Sequence, residues 1–337
     1  MKKNLLFVFA ALCVAACITA CTPMPAAVIN IGSAVQLANI QSNLDGKYKL
    51  TQNITVNNWL PLGDNAHPFK GDLDGNGHTI TINSFADVTT SGDSDFYGLF
   101  GYIQGGRVFN LQIKGATLHK TSSKHIHYGG IVGCLNGGFI IQCVVNATLL
   151  GQTSGSGISS MVGGIVGSML GQGVISDCYT IGGVQGASSN GTVNVGGIAG
   201  AFTNGTLRRC YATNAVSAIG SAPGKNVGGI VGYIGGSGPE RSTVKACVAL
   251  NSSVAAQTNP KTNVHKIVGS IASPAVTDLE DNYGHILTVT GTNPNGNNGG
   301  DGFHNAGWFW TGTVQWPSSI WNFASLPPKL KFSPVVW

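Results

Sequence analysis

Side chains able to do chemistry are sparse among these 337 residues, which carry 13 acidic residues, eight histidines and eight cysteines. Cleavage of a glycosidic bond needs two carboxylates facing one another, or a basic side chain beside bound calcium. Between 96 and 289 the acidic residues are Asp177, Glu240, Asp278, Glu280 and Asp281, and only the last three cluster; Asp93 and Asp95 lie in a serine-rich stretch just before. Asp72-Leu73-Asp74-Gly75-Asn76-Gly77 matches the first half of an EF-hand calcium loop, but its twelfth position is Asn83 and not a bidentate Glu. A glycine-rich turn between strands is the better reading. His125 and His127 form a His-x-His pair that a strand would place on one face, with His119 nearby and no carboxylate in the neighbourhood. No His-Glu-x-x-His occurs, so the zinc-peptidase motif is missing. No metal or cofactor is expected.

Four cysteines recur at one place in successive copies of a repeat: Cys143, Cys178, Cys210 and Cys247, with Leu111 before them and Asn282 after. Exchange with leucine suggests an inward position where the thiols stack as small apolar side chains. A disulfide ladder is the alternative in an exported protein. Neighbours on adjacent parallel strands keep Cβ atoms about 4.8 Å apart, beyond the usual disulfide span, which favours free thiols.

The element that positions these residues is a glycine motif: GLFG at 98–101, GGIVG at 129–133 and 163–167, GGIAG at 196–200, GGIVG at 228–232 and a worn KIVG at 266–269. The closing glycines fall 32, 34, 33, 32 and 37 residues apart, the mark of a solenoid in which no repeat buries its own apolar face. Gly98, Gly101, Gly130, Gly133, Gly164, Gly167, Gly197, Gly200, Gly229 and Gly232 are assigned a structural role at places where a side chain would clash. Each copy has three alternating beats, as in YGGIVG, GGFIIQCVV and NATLLG at 128–151. Only 9% of residues are charged against about 25% in ordinary globular proteins, and the 50 glycines accompany many Val and Ile. The expectation is an all-β, right-handed parallel β-helix with about one three-stranded coil per repeat, capped at both ends. A β-propeller would want longer blades with four strands. Residues 31–95 should form an N-terminal cap, with helix near Ser33–Ile40, and a first coil; 96–289 the repeats; and 290–337 a loop and C-terminal cap.

Tyr97-Gly98-Leu99-Phe100-Gly101 and the GGIVG copies resemble the GLUG repeat of bacterial surface proteins. The segment 46–83 also resembles what commonly precedes such repeats: Gly-x-Tyr-x-Leu, Trp-x-Pro-x-Gly, Pro-Phe-x-Gly and Asp-Gly-Asn-Gly-His-Thr-Ile. The resemblance spans about 46–285 and implies architecture rather than activity, since such repeats accompany several kinds of surface protein, immunoglobulin-cleaving metallopeptidases among them.

Lys2, Lys3 and the apolar run Leu5–Ala16 are too short to span a bilayer and read as an export signal over 1–20. Ile18-Thr19-Ala20-Cys21 resembles a bacterial lipobox, which implies lipidation at Cys21, a tether over 21–30 and a membrane partner reached through the lipid, at the outer membrane or cell surface. Without Lys2 and Lys3, 16 of the 18 basic residues remain against 13 acidic ones, which gives no reason to expect nucleic acid. Trp308, Trp310, Trp316 and Trp321 crowd the end of the chain, either closing the open coil or offering aromatic faces to sugar rings. The reading is a non-catalytic cell-surface module, adhesin-like or binding glycan or host surface proteins; the alternative is a polysaccharide lyase or glycoside hydrolase, an analogy of fold. Ligand specificity is expected in the stretches 119–127, 152–160 and 257–265, or on the tryptophans.

Overall fold

The computed structural model describes residues 27–88, 92–236, 239–257, 261–272, 277–284, 289–290, 315–324 and 327–332. The chain winds as a parallel β-helix of six stacked coils, each strand bonding to its counterpart one coil away. Four sheets run along the stack. The first holds Ser94–Tyr97, His125–Gly129, Ser160–Gly163, Thr192–Gly196, Gly224–Gly228 and Lys261–His265. The second holds Phe100–Gln104, Val132–Asn136, Val166–Leu170, Ala199–Thr203, Val231–Gly235 and Val268–Ile271. A nine-stranded third sheet runs from Val28–Ile31 to Thr277–Glu280, and an eleven-stranded fourth sheet contains the long strands Gln112–Ser122, Val144–Ser156 and Tyr179–Asn190. The three beats of the sequence are therefore present, with the first beat folded into two short strands at the glycine motif.

Two corners explain how the sequence winds. Between the first and second sheets the chain bends at Gly-Ile, and the isoleucine points straight into the core: Leu99, Ile131, Ile165, Ile198, Ile230 and Ile267 are all 0% exposed. None of the motif's glycines has a left-handed φ. They are glycine for space. A Cβ on Gly197 would lie 2.1 Å from Gly229 O, and one on Gly200 would lie 2.5 Å from Val162 N. The first glycine of each pair is as tight: a Cβ on Gly196 would lie 2.0 Å from Ala199 O. Gly129, Gly163, Gly196 and Gly228 lie outside the set expected to be structural, yet each has backbone within 2.4 Å of where a Cβ would sit.

The other corner, between the third and fourth sheets, does use left-handed backbone, at Asn110, Gln142, Asp177, Arg209, Ala246 and Asp281 with φ between 49° and 55°. Only the asparagine and aspartates are types that tolerate this region readily, and the rest are held there by the stack. The next residue in each coil turns inward. That row is Leu111, Cys143, Cys178, Cys210, Cys247 and Asn282, all buried. The cysteines are free thiols. Each Sγ donates to the carbonyl two residues back, as Cys178 does to Ser176 O at 3.2 Å. Asn282 closes the row by accepting from Cys247 N at 2.9 Å and donating to Val244 O.

A short helix and a 3-10 turn cover the N-terminal end. Ser33 caps a short helix, Ala34–Ala38, by accepting from Gln36 N, and a 3-10 turn, Asn39–Ser42, follows. Leu37 and Ile40 from these turns are sealed beneath the first coil. The first strand, Val28–Ile31, begins inside the stretch read as tether. Asp72–Asp74 is a strand, Asp72 pairs with Arg107, and Asp74 Oδ1 accepts from Asn76 N at 2.8 Å, so the Asp-Gly-Asn-Gly segment is a turn between strands.

Candidate functional site

At the glycine bend the outward faces of the first two sheets turn toward one another and form a cleft along the stack. On the first sheet the outward row is Phe96, His127, Met161, Asn194, Asn226 and Asn263. On the second it is Tyr102, Cys134, Ser168, Ala201, Tyr233 and Ser270. These rows follow from strand alternation, since the residues between them, such as Val162, Val195, Val227, Met169, Phe202 and Ile234, fill the core.

In the early coils the cleft is closed by bulk. Phe96 stacks on His127 at 4.9 Å and meets Tyr102 edge-on at 5.4 Å. His127 Nδ1 and Ser168 Oγ share a hydrogen bond of 2.7 Å across the cleft. A hydroxyl bonded to an imidazole is half of a nucleophile–base pair. Burial holds the His127 imidazolium down to about 3, so the ring is neutral and a weak base, and its stacking partner is a phenyl ring instead of an orienting carboxylate. Burial also pushes Cys134 and Tyr102 up to about 12. This end of the cleft is therefore neutral and packed. His125 Nδ1 meanwhile accepts from Ser159 N, so the two histidines serve separate bonds. Among the described residues no cluster of three His, Cys, Asp or Glu side chains could hold a metal ion.

In the later coils the cleft opens because Ala201 and Gly224 supply no bulk. There a groove of about 470 Å³ is lined by Ser159, Met161, Thr192, Asn194, Asn226, Asn263 and Tyr233. Its floor is an asparagine ladder. Asn226 Nδ2 donates to Asn194 Oδ1 at 2.8 Å, and Asn263 Nδ2 donates to Asn226 Oδ1 at 2.9 Å. Among the described side chains that line the groove, none is charged. Lys225, inside the same strand, points the other way and donates to Ala222 O at 3.1 Å in the interior. The row lies outside the expected site residues, although the sequence carries it: Asn194-Val195-Gly196, Asn226-Val227-Gly228 and Asn263-Val264 repeat at one place in three copies.

The carboxylates are engaged elsewhere, mostly on the third sheet and its corner. Asp177 takes both Arg209 nitrogens, at 2.7 and 2.5 Å, Asp278 pairs with Arg241, and Glu280 with Lys245. Arg241 holds the Asp278 carboxyl below the usual carboxylate range. Asp95 accepts from Ser122 Oγ and Glu240 from Asn204 Nδ2. Each of these carboxylates sits beside a cation or donor one coil away.

The tryptophan expectation needs correction at two positions. Trp316 and Trp321 are 2% and 0% exposed, so neither offers a face to a ligand. They pack on Tyr179 and Tyr211, residues that follow the inward cysteines and point outward. Trp316 Nε1 donates to Ala246 O and Trp321 Nε1 to Asp177 Oδ1. Tyr211 donates to Pro328 O at 2.9 Å, and Phe332 lies against Gly77. Residues 315–324 and 327–332 thus lie along the flank of the stack, from the coil of Ala246 to that of Gly77. Trp308, Trp310, Cys21 and the expected signal fall outside the described residues. The stretches 119–127 and 152–160 are largely strand, with turns left only at 123–124 and 157–159. In 257–265, Lys261–His265 is also strand.

No known family's sequence profile matches the chain. Over 96 residues, 25% of its length, it is 36% identical to a protein of Evansella cellulosilytica provisionally named a Gly-rich membrane protein; it covers 11% of that protein. A solved structure from Bacteroides ovatus, provisionally named an immunoglobulin A1 protease, superposes with a TM-score of 0.66 over 93% of this chain and 94% of its own, at 22% identity. That likeness shows a shared fold.

Proposed function

We propose that the chain is a GLUG-type surface lipoprotein, anchored through Cys21, whose β-helix binds glycan or host surface proteins without catalysis. One observation carries the reading: the described carboxylates that could act in pairs are tied into cross-coil contacts, while the open groove is lined by amides, hydroxyls and a phenol. Such a surface can bind and orient a ligand but has no acid–base pair to cleave it. The partial likeness to a protein named for a membrane supports a surface location. The proteolytic name of the structural neighbour does not extend here, because His127 and Ser168 lack the third group that would orient and strengthen the base. Binding of the purified chain to glycan arrays and to host matrix proteins tests the reading. Release of reducing sugar or unsaturated uronate that disappears in Asp278→Ala would overturn it. Incorporation of labelled fatty acid by the wild type and its loss in Cys21→Ala tests the anchor.

A further inference from the structure

The geometry points to one ligand class for the groove: we propose that Asn194, Asn226, Asn263 and Tyr233 bind an uncharged saccharide chain lying along the stack. This rests on the surface-binding reading and specifies its site. A carboxamide has two N–H donors and two acceptor lone pairs. In the ladder Asn226 spends one donor on Asn194 and accepts once from Asn263. One N–H and one lone pair are left over, side by side. Adjacent donor and acceptor are what a pair of neighbouring sugar hydroxyls requires, since each hydroxyl can give and take. The pattern repeats once per coil, about every 4.8 Å, so a linear ligand meets a fresh amide at each step.

A second asparagine ladder in the same molecule serves as an internal comparison. Asn251 Nδ2 donates to Asn214 Oδ1 at 2.9 Å, and these two are 0% and 1% exposed within the coil. That ladder only holds coils together. The outward ladder's Asn194 and Asn226 are 7% and 8% exposed, and it fronts a groove of about 470 Å³ with Asn263 half-buried beside it. Tyr233, also half-buried, forms the opposite wall and presents an aromatic ring of the kind that packs against the C–H face of a sugar. Lys225 is turned inward, and the described side chains lining the groove offer an acidic polysaccharide no cation to pair with.

The test is isothermal titration calorimetry of the full purified chain with oligosaccharides of glucose, mannose, xylose and N-acetylglucosamine, and separately with oligogalacturonate and an unstructured peptide. At least one neutral oligosaccharide should bind. Asn226→Leu should weaken it about tenfold, the loss of one or two hydrogen bonds. Tyr233→Ala and Asn263→Ala, at half-buried positions, should weaken it with the circular dichroism unchanged, which guards against a folding defect in Asn226→Leu. Val35→Ser, far from the groove, should bind as the wild type does. Neutral-sugar binding that survives all three groove variants would overturn the site while leaving the surface-binding reading intact. Binding of oligogalacturonate or peptide alone would overturn the ligand class, and no binding of any saccharide would overturn the proposal outright.

Discussion

Gly228 and Gly224 lie in one strand, four residues apart, and alanine at the two positions should act in opposite directions. A Cβ on Gly228 would fall 2.0 Å from Val231 O, 2.7 Å from Gly269 N and 2.7 Å from Ile267 O. All three atoms are backbone, so no side chain can rotate away and the coils themselves must separate. Overpacking of a closed interior costs about 1–3 kcal/mol, and clashes this deep belong at the upper end. At about 2 °C per kcal/mol for a chain of this size, the melting point should drop by about 6 °C. A Cβ on Gly224 has only Thr192 within reach, at 3.8 Å, and the backbone is extended. There alanine restricts the unfolded chain at no cost in contact and should stabilise by about 0.4–1 kcal/mol. Thermal melts followed by circular dichroism compare the two variants directly. Equal destabilisation, or a neutral Gly228→Ala, would refute the claim that the motif's glycines are selected for close backbone approach.

Acid should weaken the fold before the carboxylates titrate. Burial lowers the protonation of His127 and His265 in the fold, while in the unfolded chain both take up protons near pH 6.5. The His127 contribution is whole above about pH 6.5 and falls as pH drops toward 3, by up to about 1.4 kcal/mol per pH unit, with His265 acting in the same direction; the fall in melting point from pH 7 to 5 should be smaller in His127→Gln, and an unchanged slope would count against it. Cys134, Cys143, Cys178, Cys210 and Cys247 are buried, and burial pushes Cys134, Cys178 and Cys247 up. They should resist a thiol-specific reagent in the native chain and react in denaturant, whereas a disulfide in the mass spectrum would exclude the free stack. Trp321→Ala removes a sealed indole and its bond to Asp177, worth about 3–5 kcal/mol in a closed core. Limited proteolysis should then cut within 315–332 at temperatures where the coils still give their full β signal.

The architecture was legible because it repeats. A period near 33, the Gly-Ile-Val motif and the cysteine row each state the same winding several times, and Leu111 and Asn282 mark where the row begins and ends. Features that depend on which faces meet were harder to read. The fold of the first beat into two strands comes from Ile165 and its equivalents turning inward at the bend, which alternation alone does not reveal. Asn194, Asn226 and Asn263 were visible as a repeated letter, but nothing local says that their face is opposed by Ala201 and Tyr233 and left open. The tryptophans were read from composition as end cover or platform. Their real neighbours, Tyr179, Tyr211 and Asp177, lie more than a hundred residues away in sequence, and that contact leaves no periodic trace.

The flank segment changes how the stack can come apart. In a plain solenoid each coil touches only its neighbours, so fraying can begin at an end and travel inward one coil at a time. Here Trp316, Trp321 and Pro328 fasten three successive coils at once, with bonds from Trp316 to Ala246, Trp321 to Asp177 and Tyr211 to Pro328. A coil in the middle cannot loosen without lifting this clasp, and the clasp cannot seat until the coils beneath it exist. The molecule gains the cooperativity of a closed object from a few late residues. During synthesis, the row of Val144, Tyr179, Tyr211 and Val248 must wait uncovered for them.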